Sequence, residues 1–253
     1  MLYYICTVKK DINSNVNCLS YRDCVCLFIY FTEVDFSKIF CYNKIKGDKN
    51  MIFPDLFANQ LREVDANPNA TRSNKILFPL HSAIAKIVSQ HTHYNVMSLP
   101  EKEYHFVSDI GSKNVDIAVV DENNNLKAAI MFKSIKSEYN KNANNYYENM
   151  KGESSLFIDN NIPVYQIIFI PTAVRHKNNK GEKTFETPNE NSYNHYCNFI
   201  SNHSSYWNKL KLGVFYFDVN YDHDYEIFYS SQVVPGVEDT LTEGLINFMK
   251  EVK

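Results

Sequence analysis

Three side chains in the stretch Val115–Glu153 have types and spacing suited to chemistry: Asp116, Lys133 and Glu148. Asp116 is the one acid in the β-branched run Val115–Val120, and Lys133 closes the apolar run Leu126–Phe132. Between them lies Asp121-Glu-Asn-Asn-Asn125, a polar loop whose Asn and Asp residues tolerate the left-handed backbone of a tight reversal. A hairpin about this loop brings Asp116 near Ile130 and Met131, with Lys133 about one pleat further along. A carboxylate is a hard oxygen ligand suited to Mg²⁺. A lysine beside it orients water and stabilises charge on phosphorus. The pair is therefore a candidate site for metal-assisted phosphodiester hydrolysis.

This order of acid, hairpin, lysine and helix resembles the PD-(D/E)xK, or restriction-endonuclease-like, superfamily. Asp116 matches the first acid of that motif, and Phe132-Lys133 matches its x-K. The second acid falls on Met131, a departure, because a thioether does not bind a hard cation. Some members carry that acid on the following helix, and Glu148 in NNYYENMKGE is the candidate here. The Asn/Tyr-rich segment Tyr139–Glu153 is similar to the helix after the lysine strand in some type II restriction endonucleases. The resemblance covers roughly residues 70–220. It implies an α/β fold with a central mixed β-sheet flanked by helices. It also implies a Mg²⁺-dependent, site-specific endonuclease on double-stranded DNA, with Asp116 and Glu148 on the metal and Lys133 serving the water. A homodimer on a palindrome and a companion DNA methyltransferase, the pair used in bacterial defence, follow from the resemblance only. Two alternatives stay open. Ser134-Ile135-Lys136 offers a second register for the lysine. Met131 is also compatible with lost catalysis, leaving a nuclease-fold module that binds DNA or protein.

With a formal net charge of −3, no global field draws this chain to DNA, so contacts must come from local clusters. Lys141, Asn144, Asn145 and Glu148 recur at helical spacing and share one side of their helix. Lys136 precedes that helix. Thr172–Asn191 gathers Arg175, His176, Lys177, Lys180 and Lys183 around Gly181. It reads either as a solvated loop or as a DNA-contacting loop led by Arg175, Lys177 and Lys180.

The elements that must hold these groups follow from periodicity. Phe53–Val64 and Ile76–Gln90 read as amphipathic helices, with Pro54 early in the first. His81 lies near the apolar stripe of the second as a core residue, and His91 and His93 cap its end. Tyr94–Leu99 and Tyr104–Val107 read as short strands, and Ser108–Asn114 as a turn into the Asp116 strand. Asp109 in that turn is a turn residue or a further acid near the site. Ile162–Pro171, continuously apolar except for Gln166, reads as a strand buried on both faces. Ser192–His203 reads as helix, Gly213–Val219 as strand, Tyr225–Tyr229 as an edge element and Val237–Lys253 as a closing amphipathic helix.

At 253 residues and 44% apolar, the chain suits one domain with an extension. The extension is residues 1–50, which hold Cys6, Cys18, Cys24, Cys26 and Cys41. They read as scattered reduced thiols of a cytoplasmic protein; Cys24-x-Cys26 is too tight for the usual zinc pair. Lys46–Met51 back-translates with AT-biased codons to a GGAG shortly before ATG, the pattern of a bacterial ribosome-binding site. Met51 is thus the expected natural start and 51–253 the nuclease-like domain. The sequence has no apolar run of membrane-spanning length.

Overall fold

The computed structural model describes residues 5–6, 26–27, 52–67, 74–177, 183–188, 194–196, 198–199, 202, 204–221, 226–229 and 241–252. The chain forms two compact units, Met1–Tyr42 and Asn43–Lys253. In the first, Ile5–Cys6 pairs antiparallel with Cys26–Leu27. Cys18, Cys24, Cys41 and the candidate start Met51 lie outside the described residues.

The second unit is α/β, built on a mixed six-stranded sheet. In chain order its elements are α1 (Ile52–Ala66), α2 (Phe78–Gln90), β1 (Asn95–Ser98), β2 (Tyr104–Ser108), β3 (Gly111–Val115), β4 (Ile117–Val120), β5 (Leu126–Ser134) and α3 (Tyr139–Asp159). There follow β6 (Val164–Pro171), β7 (Val174–Lys177), β8 (Lys183–Glu186), β9 (Leu210–Asn220), β10 (Glu226–Tyr229) and α4 (Leu241–Glu251). The sheet runs β10-β9-β6-β5-β4-β1. Its centre is parallel, β5 beside β6 beside β9, and both margins are antiparallel. The helix α3 is the crossover that parallel pairing of β5 and β6 requires.

Alternation along the strands divides the core in two. Ile117, Ala128, Ile130, Phe132, Ile167, Phe169 and Phe215 face α1, α2 and α4, which contribute Phe57, Leu80, Ile84, Leu245 and Phe248. The opposite face carries Ala118, Ala129, Met131, Val164, Ile168 and Val214, covered by Tyr139, Ala143, Met150 and Phe157 of α3. Every residue of β6 is buried, as its apolar run predicts. Each fully buried large aliphatic side chain contributes roughly 1.5–3 kcal/mol.

Two local expectations change. Ser108–Asn114 is not an open turn: β2 and β3 form a tight antiparallel hairpin with Ser108 opposite Gly111. The charged segment after β6 also folds back, as the hairpin β7–β8. The loop between β4 and β5 behaves as its composition predicts. Asn124 takes φ 62°, and Asp121 Oδ1 accepts from the amides of Asn123 and Asn125 at 3.0 and 2.8 Å. Among the described residues no helix is long and apolar enough to cross a membrane.

Candidate active site

Asp116 sits at the bend between β3 and β4, half-buried. The register Ile117 opposite Ile130 sets it across from Met131, and its Oδ2 accepts the Phe132 backbone N–H at 2.8 Å. By strand alternation Asp116, Met131 and Lys133 share the sheet face covered by α3. The same row continues through Gln166 to Leu212. Gln166 is buried and donates to Ser154 Oγ at 3.2 Å.

Burial pushes the Asp116 carboxyl up to about 7, against the pull of the Phe132 amide. Glu153 and Glu103 raise it further, and Lys113 opposes them. The neighbouring acids are held in place. Glu153, on α3, takes an ion pair from Lys113 at 2.5 Å with both side chains about one-third exposed. Glu103 accepts from Asn114 Nδ2 at 3.0 Å. A half-buried, desolvated carboxyl among further acids is a place where a cation is favoured.

Lys133 is exposed, and its ammonium lies over the Tyr146 ring at 5.1 Å from the centroid. Lys136, three residues before the start of α3, is buried, and its ammonium is pushed down to about 8 by burial first and by Lys133 second.

Glu148 is not beside Asp116. It is exposed and pairs with Lys151 at 3.0 Å. The buried stripe of α3 runs through Tyr139, Ala143, Met150, Ser154 and Phe157. Relative to Ala143, at about 100° per residue, Glu148 lies about 140° away, on the solvent side, whereas Tyr146 and Glu153 lie on one flank of the stripe. Glu153 therefore stands where the sequence reading put Glu148. Tyr146 and Glu153 are seven residues apart, two turns, a spacing visible in the sequence once the stripe is phased.

Lys141, Asn144 and Asn145 are exposed on that same outer side, and Lys141 lies 3.6 Å from Glu138. Arg175 does not project as a free cation. It pairs with Asp65 at 2.5 Å, and its guanidinium lies over the rings of Phe185 and Tyr221 at 5.3 and 5.1 Å. Lys177 falls within β7, and Lys180 lies outside the described residues. Asp109 is exposed at the tip of the β2–β3 hairpin. His81 is a core residue, edge-on to Phe132 at 5.9 Å.

Among the described residues no three His, Cys, Asp or Glu side chains gather as a metal-holding group. Mg²⁺ asks for less, because it keeps several waters and takes one or two carboxylates plus substrate phosphate. Asp116, with Oδ1 left over from the Phe132 bond, offers one such carboxylate, and Glu153, whose charge reaches Asp116, offers the second where a cation displaces Lys113 from it. Compared with family models, with curated proteins and with solved structures, the chain matches none.

Proposed function

We propose that this protein is a Mg²⁺-dependent endonuclease of the restriction type, acting on double-stranded DNA in the cytoplasm with a restriction-endonuclease-like core. The observation that carries the reading is the bond from Phe132 N–H to Asp116 Oδ2. It ties a desolvated carboxyl to the strand that presents Lys133 one residue later.

Asp116 is the anchoring metal ligand and Glu153 the second carboxylate, in place of Glu148. Mg²⁺ held there would supply neutralisation of phosphate charge and a more acidic water. The chain's own part is to hold and orient. The Phe132 amide fixes one oxygen of Asp116 and leaves the other to the ligand. The Tyr146 ring supports the Lys133 ammonium without neutralising it, since a ring face attracts a cation and carries no proton-accepting charge. Lys133 then orients the attacking water and stabilises the charge that grows on phosphorus. The sequence resemblance adds a homodimer on a palindromic site and a companion methyltransferase.

A second reading, a catalytically inactive module of the same fold that binds DNA or protein, is favoured by one observation. Met131 is 3% exposed and packs in an apolar cluster at the position where the motif has its acid. Cleavage of unmethylated plasmid with Mg²⁺ decides between them. The endonuclease reading requires nicking or linearisation that Asp116→Ala and Lys133→Ala abolish. Cleavage persisting in both variants refutes the site, and no cleavage or Mg²⁺ binding by the wild type leaves the inactive module.

A further inference from the structure

Lys136 is 9% exposed, an unusual position for an amine that carries charge. A buried ammonium ordinarily has a carboxylate or a ring of acceptors around it. Among the described residues Lys136 makes no hydrogen bond and no ion pair, and its charged neighbour is a second cation, Lys133. Lys133 in turn has the Tyr146 ring and no carboxylate partner. The acids nearest this end of α3 are committed elsewhere. Glu138 faces Lys141 at 3.6 Å, and Glu186 accepts the Asn140 amide at 3.0 Å. Arg175, which accepts the Glu138 amide on its backbone oxygen, is paired with Asp65.

Two cations three residues apart, one of them buried with no hydrogen-bond or ion-pair partner, raise the energy of the free protein. An anion arriving from outside relieves both the like-charge repulsion and the unmatched desolvation. Lys133 is the last residue but one of the strand that carries the Asp116 contact, and Lys136 follows three residues later. We infer that Lys133 and Lys136 together seat one phosphate group of the bound nucleic acid, next to the scissile site. This rests on the endonuclease reading for the identity of the ligand, though not for the existence of the seat. A phosphate diester fits because it is a compact anion that two point charges can share, and lysine serves as such a point charge.

The test uses the full chain at pH 7 in EDTA, with inorganic phosphate as the first probe and a short double-stranded oligonucleotide as the second. Phosphate affinity is read by calorimetry at fixed ionic strength against chloride. Lys136→Met and Lys133→Met should each weaken phosphate binding at least tenfold. Each should also lower the salt slope of duplex binding by about one counterion. Phosphate affinity within twofold of wild type in Lys136→Met overturns the seat. Weakened phosphate binding with an unchanged salt slope overturns the nucleic-acid assignment in favour of a free-phosphate site. Should Lys136→Met fail to fold, the Cε resonance of Lys136 in ¹³C-lysine wild type is followed instead, and its indifference to phosphate overturns the seat. Phosphate bound at both lysines without Mg²⁺-dependent cleavage keeps the seat and removes the endonuclease. Cleavage with unaltered phosphate binding does the reverse.

Discussion

The Phe132 amide donates to Asp116 Oδ2 at 2.8 Å across two strands whose side chains at that level are an acid and a methionine. One backbone bond holds the carboxyl, and burial with Glu153 and Glu103 nearby opposes its ionisation. The site is therefore strained electrostatically in the free protein, a condition that a bound cation removes.

Asp116→Asn tests that strain. An ordinary aspartate titrates at 3.8, and Asp116 keeps its proton to about 7. Below pH 3.8 folded and unfolded chains are both protonated and burial of the acid costs nothing. Between pH 3.8 and about 7 the unfolded chain has released a proton that the folded chain still holds, so stability falls as pH rises across that window, and the whole cost stands above 7. Asparagine keeps the acceptor for Phe132 and has no charge to desolvate. Urea unfolding in EDTA should show the variant equal to wild type near pH 4 and more stable by on the order of 2–3 kcal/mol at pH 8. An equal difference at both pH values would mean the carboxylate is well solvated.

Glu153 and Glu148 separate by the same assay on different readouts. Glu153→Gln should weaken Mg²⁺ binding about 10–100-fold and reduce cleavage with it, the range seen when a supporting ligand is lost. It should also lower the pKa of Asp116, because a neighbouring negative charge is removed. Glu148→Gln should leave all three unchanged, since Glu148 meets solvent and Lys151. A loss of activity in Glu148→Gln with none in Glu153→Gln would return the second acid to Glu148.

His81 gives a stability prediction away from the chemistry. Both ring nitrogens are buried without a hydrogen-bond partner, and burial pushes the imidazole down to about 4 from 6.5. Its contribution is in full above pH 6.5 and is lost as pH falls through about 4, where the folded state must take up a buried charge. His81→Leu should raise stability at pH 7 by roughly 1–3 kcal/mol, the cost of unsatisfied buried polar atoms. The gain should grow as pH falls toward 4. A thermal melt that shows no gain at either pH counts against an unpaired His81.

What the sequence made legible was the part governed by period and turn chemistry. The alternation of Val115–Val120 and Leu126–Phe132 around an Asn-rich loop is enough to bring Asp116 to Met131. The unbroken apolar run of Ile162–Pro171 is enough for a strand buried on both faces. The rotation of α3 was not legible, because its polar composition leaves the buried stripe to Tyr139, Ala143, Met150, Ser154 and Phe157, only some of them apolar. That phase decides between Glu148 and Glu153. Burial of Lys136 and the Arg175–Asp65 pair depend on contacts between segments far apart in the chain, which local spacing does not encode. The β2–β3 hairpin is not legible in the sequence for a local reason. Gly111-Ser-Lys-Asn is turn-like in composition, and pairing with Tyr104–Ser108 overrides it.

Met131→Glu restores the motif's usual acid and makes the sharpest use of the geometry. Met131 is 3% exposed among Ala129, Phe157 and Val164, and its cross-strand neighbour is Asp116. A glutamate there is a second buried carboxylate beside one that already resists ionisation, with Gln166 across β6 engaged by Ser154. In EDTA at pH 8 the variant should lose about 3–5 kcal/mol, the cost of an uncompensated buried charge. It should lose less at pH 5, where protonation spares that charge. Mg²⁺ at about 100 times its dissociation constant should return roughly 2.7 kcal/mol by binding the folded state alone. The recovery needs both carboxylates, so Met131→Glu with Asp116→Ala should show none. In a Glu153→Ala background Met131→Glu should restore part of the cleavage, because the second ligand is supplied from β5 and not from α3. If Mg²⁺ stabilises Met131→Glu no more in the Asp116-containing chain than with Asp116→Ala, positions 116 and 131 do not share a metal, and the assignment of Asp116 as its anchor is wrong.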